Sequence, residues 1–126
     1  TIVHSMAEIL SGLPPVVIAP GMVLANTIIN VFLTSGSGQA VAVMPILIPL
    51  ADLVGMTRQT MILAFQFGDG LTNSAWFTSG TLLIFLTIAG IPLKKWWKFV
   101  TPLLLILTVV CVIALLVATK INYGPF

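Results

Sequence analysis

Asp69 stands inside the polar island Gly68-Asp69-Gly70-Leu71-Thr72-Asn73, which interrupts an otherwise apolar stretch. A charged carboxylate at membrane depth is costly unless it is paired or coordinates a cation, so Asp69 is a functional candidate by default. The glycines beside it allow an unwound backbone to turn its carbonyls inward, as sodium sites require. Asp69, Gly68 and Thr72 thus form a candidate sodium site. The plainer alternative is a carboxylate capping the second half of a broken helix, although Thr72, Asn73 and Ser74 could do that without charge.

A second island, Ser35-Gly36-Ser37-Gly38-Gln39, offers matching chemistry. Two hydroxyls and bare backbone precede a helix starting near Gln39, whose free N–H groups and positive dipole end can hold a carboxylate without arginine. Small polar residues between apolar segments are tolerated in a bilayer only where they are buried in protein or line a cavity. The two islands together therefore imply a solute- or ion-binding site in a membrane transporter. Asn73 belongs to the candidate solute site, as do Thr78 and Ser79, where Phe77-Thr78-Ser79-Gly80 echoes Phe32-Leu33-Thr34-Ser35-Gly36. Thr78 and Ser79 could equally bond carbonyls of their own helix.

Composition sets the solvent. Of 126 residues 59% are hydrophobic and 6% charged, and mean hydropathy is +1.18. Soluble domains carry about 25% charged residues, so lipid must face most of this surface. A net charge of +2 argues against nucleic acid as a partner. The lone Cys111 lies in an apolar run and supports neither a disulfide framework nor a metal cluster. No nucleophile–base pair, Walker motif or dinucleotide fingerprint appears, so an enzyme is not expected. His4 and Glu8 share a helix face and read as an interfacial pair.

The elements that position these residues can be read from hydropathy. Residues 1–13 form an interfacial lead-in. Residues 14–55 form a helical hairpin with its tip at 35–39; the return arm, 40–53, reaches only about 20–25 Å, marginal for a ~30 Å core, which fits a re-entrant hairpin at least as well as two full spans. Residues 58–92 form a discontinuous helix broken at 68–73, and 98–120 a last transmembrane helix. Asn26 and Asn30 share a face of the first hairpin arm, where they bond a neighbouring helix or line a solute path. Lys94, Lys95 and Lys98, interleaved with Trp96 and Trp97, read as an interface belt on the cytoplasmic side, which places Arg58 and the hairpin mouth outside. No signal peptide is read at the start. The expectation is an all-α, multi-pass protein of the inner membrane, whose missing N-terminal half would help enclose the site.

Leu13-Pro14-Pro15, the 35–40 island, Met44-Pro45, Pro49-Leu50-Ala51-Asp52, Thr57-Arg58-Gln59 and Phe65-Gln66-Phe67 leading into the 68–73 island carry a resemblance. Together they resemble the C4-dicarboxylate anaerobic carrier family, in the branch of basic amino acid (arginine/ornithine-type) antiporters, and are similar to aminobenzoyl-glutamate transporters. The resemblance implies an inverted-repeat, elevator-type secondary carrier of the ion transporter superfamily. It further implies a homodimer with sodium or protons as coupling ion, and a site where the two islands meet. One departure is Ser74-Ala75-Trp76-Phe77, where related sequences often carry Ile and Pro. The expected function is transport of a small carboxylate-bearing metabolite, an amino acid by preference, by exchange or ion coupling. The alternatives are a C4-dicarboxylate carrier and a structural subunit that transports nothing.

Overall fold

The computed structural model describes Glu8 and residues 12–124, and it is helical with no strand among them. The lead-in of residues 1–13, His4 included, lies almost wholly outside the described residues. Five helices follow: α1 (Pro15–Phe32), α2 (Gly36–Val54), α3 (Arg58–Asn73), α4 (Gly80–Ile88) and α5 (Leu93–Lys120). α1, α2 and α5 are each long and apolar enough to cross a membrane.

Local chemistry fixes the boundaries. Pro14 is held extended by the proline after it, and Pro15 opens α1 where no N–H is needed. Ser35 caps α2, its Oγ accepting from the Gly38 N–H at 3.4 Å. Gly55 closes α2 in the left-handed conformation (φ +71°). Thr57 caps α3 by accepting from the Thr60 N–H at 3.2 Å. Pro20, Pro45 and Pro49 sit within helices, as neighbouring helices in a membrane allow.

Two expectations change here. Residues 36–39 are the first turn of α2 rather than a loop, so the hairpin turn is 33–35 and the return arm has 19 residues, about 28 Å. The second concerns the broken helix. α3 runs without interruption through Gly68–Asn73, and the break falls at 74–79 instead. Two glycines do not suffice to unwind a helix whose backbone groups would have no other partner in an apolar setting.

α1 packs most extensively on α3, and α2 and α5 flank that pair. The core is Ala19, Met22, Leu47, Leu50, Ala51, Met61, Ala64, Phe65 and Leu115. Close approach of backbones, rather than hydrophobic force, holds helices together in lipid. Gly68 provides that approach: a Cβ there would lie 2.7 Å from Asn26 Cβ and 2.8 Å from the Val23 carbonyl. Phe32, Val41, Ile88 and Phe99 are among many large apolar residues left exposed, as a lipid-facing surface requires.

The helix ends gather in two groups. At one end a cavity of about 140 Å³ is bordered by Pro15, Met56, Thr57, Thr60, Thr119 and Asn122. There the chain after α5 folds back, and the Tyr123 carbonyl accepts from Thr57 Oγ1 at 2.6 Å. The hairpin turn, the break and the start of α5 share the opposite end, which also carries Lys94, Lys95 and Lys98.

Candidate functional site

That opposite end holds an open polar cleft of about 390 Å³, lined by Thr34, Asn73, Ser74, Ser79, Thr81, Leu82, Phe85 and Trp96. Its walls come from the hairpin turn, the end of α3, the start of α4 and the first turn of α5. Ser79 is buried and precedes the first turn of α4, and its side chain makes no capping bond. The amino-terminal N–H groups of α4 therefore meet the cleft with no side chain occupying them. No basic side chain lines it.

Asp69 lies one layer below this surface and is 8% exposed. Its Oδ1 accepts from Asn73 Nδ2 at 3.1 Å, so Asn73 joins the carboxylate to the cleft. Its Oδ2 lies so close to Gly36 that a Cβ there would stand only 2.7 Å away. The two polar islands thus meet, and the carboxylate borders the first turn of α2, whose dipole end favours negative charge. Among the described residues no basic group pairs with it; Arg58 pairs instead with Asp52, at 2.8 Å and exposed.

Three buried amides surround the junction of α1, α2 and α3. Asn30 Nδ2 donates to the Asp69 carbonyl at 3.0 Å and to Thr72 Oγ1 at 2.6 Å. Gln39 Nε2 donates to the Asn26 carbonyl at 3.1 Å, and Asn26 Nδ2 to the Met22 carbonyl at 2.8 Å. The amide oxygens of Asn26, Asn30 and Gln39 are buried without a partner. Buried acceptors of that kind are costly unless something satisfies them.

The expected residues therefore divide. Asn73 and Ser79 line the cleft. Ser35, Ser37 and Gly38 are exposed on the first turn of α2 beside Thr34, and Gly36 abuts Asp69. Gln39 faces α1 instead. The Thr78 hydroxyl is buried without a partner and does not line the cleft. Gly68 does not turn its carbonyl inward: that carbonyl accepts from Thr72 Oγ1, and the glycine serves packing. Thr34, Thr81 and Trp96 were not singled out from sequence. For Thr34 the signal was its place beside the Ser/Gly island; for Trp96 the belt reading obscured it.

The sequence model of the C4-dicarboxylate anaerobic carriers matches residues 1–120. The chain belongs to that family. It is a membrane protein of a transporter family. It is 41% identical over 123 residues to the Escherichia coli (strain K12) protein named "Putative basic amino acid antiporter YfcC", covering 98% of this chain and 24% of that one. It is 34% identical over 104 residues to an uncharacterized protein of Haemophilus influenzae, covering 82% and 20% respectively. The chain thus spans between a fifth and a quarter of these relatives' lengths. No solved structure matches it significantly.

Proposed function

We propose that this carrier segment forms part of the solute and ion site of a secondary transporter for small carboxylate-bearing metabolites, amino acids in particular. One observation carries the reading: a polar cleft, open to a helix amino terminus and free of basic residues, lies directly over an unpaired buried carboxylate. Dipole ends and hydroxyls suit one carboxylate of a solute. Asp69, reached through Asn73, would hold either the coupling cation or the solute's ammonium. The name of the Escherichia coli relative favours basic amino acids and exchange.

The residues at the α1–α2–α3 junction fit a sodium ion in kind, since a carboxylate and orphaned amide oxygens are hard oxygen donors. In this reading Asp69 and Thr72 serve the ion, and Gly68 sets how closely their helix approaches α1. The ion would neutralise the carboxylate. The hairpin enters from outside, its turn on the lysine-bearing side, in a multi-pass, dimeric protein of the inner membrane. The family's own description favours a second reading, with a C4-dicarboxylate as solute; it would rest on dipoles alone, since the cleft lacks a cation.

The test is uptake by the full-length natural protein in liposomes, with L-arginine, L-ornithine and succinate, with and without a sodium gradient. Amino acid flux is expected. Asp69→Asn keeps shape and most hydrogen bonding while removing the charge; the variant should insert normally and lose ion dependence. If the charge meets an ammonium instead, ion dependence survives and amino acid affinity falls selectively. Succinate flux that amino acids do not inhibit would select the dicarboxylate reading. Unchanged kinetics in Asp69→Asn would overturn the site.

A further inference from the structure

Trp96 and Trp97 read in sequence as an interface belt, and although Trp97 is 40% exposed and Trp96 half-buried, both indole N–H groups bond the protein's own backbone. Trp96 Nε1 donates to the Ser74 carbonyl at 2.9 Å and Trp97 Nε1 to the Ala75 carbonyl at 2.7 Å. These carbonyls open the 74–79 break, outside regular helix, where no helical N–H is in place to pair them. An indole N–H can only donate, so an otherwise unpaired carbonyl is a fitting partner for it. Adjacent residues on a helix point about 100° apart, and the two bonds nonetheless land on successive carbonyls. The first turn of α5 therefore grips the break at two points.

We propose that Trp96 and Trp97 are positioning residues for the cleft, and that the Trp96 ring is also the wall against which the solute's side chain packs. The inference rests on the cleft being the solute site. Asn73 immediately precedes the gripped carbonyls and Ser79 ends the break, so holding 74–75 fixes the spacing of two cleft residues on different helices. Trp96, unlike Trp97, lines the cleft, and Phe99 packs on it with ring centroids 5.9 Å apart and planes tilted by 43°. An indole face attracts a cation through its negative potential and an alkyl chain through apolar contact, and it repels a carboxylate. The wall thus selects a solute with one carboxylate and a cationic or alkyl tail over one with a carboxylate at each end.

Three variants of the full-length protein in liposomes separate the parts. Trp97→Phe removes one grip, Trp96→Phe removes the other while keeping a ring, and Trp96→Leu removes grip and ring face together. Hydrogen exchange at amides 75–79 should rise about tenfold in all three, as loss of roughly one hydrogen bond allows, with α1 and α3 unchanged. Trp96→Leu alone should also weaken L-ornithine, about three- to thirtyfold in KM relative to succinate. Unchanged exchange at 75–79 in both Phe variants overturns the grip, as does a rise spread equally over α1 and α3. An unaltered ornithine-to-succinate ratio in Trp96→Leu overturns the wall. If the unmodified protein carries neither solute, the wall falls with the functional reading, while the exchange data still decide the grip.

Discussion

Gly36→Ala separates the site from the fold more cleanly than any change at the carboxylate itself. A Cβ on Gly36 would lie 2.7 Å from Asp69 Oδ2, and ordinary contact begins near 3.4 Å, so the carboxylate must retreat by the difference, 0.7 Å. It can do so, because the obstacle is the end of a side chain and not backbone. The retreat strains the 3.1 Å bond from Asn73 to Oδ1. Alanine meanwhile favours helix over glycine by up to about 1 kcal/mol, so net stability should hardly move. Function should move: binding constellations tolerate about 0.5 Å, and a ~1 Å misplacement can cost about a hundredfold. The expected outcome is a ten- to hundredfold loss in Vmax/KM for amino acid uptake, with a melting temperature within about 3 °C of the parent. Gly38→Ala is the control, since its Cβ would meet Ser35 at an ordinary 3.4 Å. Wild-type Vmax/KM and ion dependence in Gly36→Ala would refute the claim that Asp69 works from this position.

The remaining expectations concern the packing beneath the site. Gly68→Ala places its Cβ 2.7 Å from Asn26 Cβ and 2.8 Å from the Val23 carbonyl, and backbone cannot step aside as a carboxylate can. Forcing α1 and α3 apart should cost about 1–3 kcal/mol, seen as a lower melting temperature in detergent; an unchanged value would mean the crossing is looser than the structure shows. Asn30→Ala removes the donor to the Asp69 carbonyl and Thr72 Oγ1. Bonds of this kind between membrane helices are worth about 0.6 kcal/mol, at most ~1.7, so a small loss of stability with a larger loss of ion affinity is expected. Equal ion affinity would place Asn30 in the scaffold alone.

Much of this was legible from residue types, because lipid makes polarity informative. A buried carboxylate and a Ser/Gly island have few reasons to exist among apolar residues, and the structure brings Asp69 against Gly36. What composition could not show was which glycine bends the chain and which one packs. Gly68 looks like a breaker beside Asp69, but its missing side chain is used by α1, and the helix continues. The break falls after Asn73, where Ser74 and Ala75 receive their partners from Trp96 and Trp97. A bond across 22 residues leaves no periodic trace, so those tryptophans resembled an interface belt.

Within the proposed function, the position of Asp69 also shifts where a solute carboxylate would belong. Sequence placed that group at the start of α2, on its free N–H groups and dipole. In the structure a carboxylate of the protein already borders that turn, and two like charges at one helix end oppose each other. The amino terminus of α4 lies open to the same cleft with no side-chain cap. In the proposed reading, a solute whose carboxylate sat there would present its far end towards Asn73, with Asp69 behind it. A cationic group at that far end would be drawn to Asp69, whereas a second carboxylate would be repelled unless a bound cation intervened. On the proposed function the same geometry would tie solute choice to the ion: an amino acid could bring its own positive charge, and a dicarboxylate would have to borrow one.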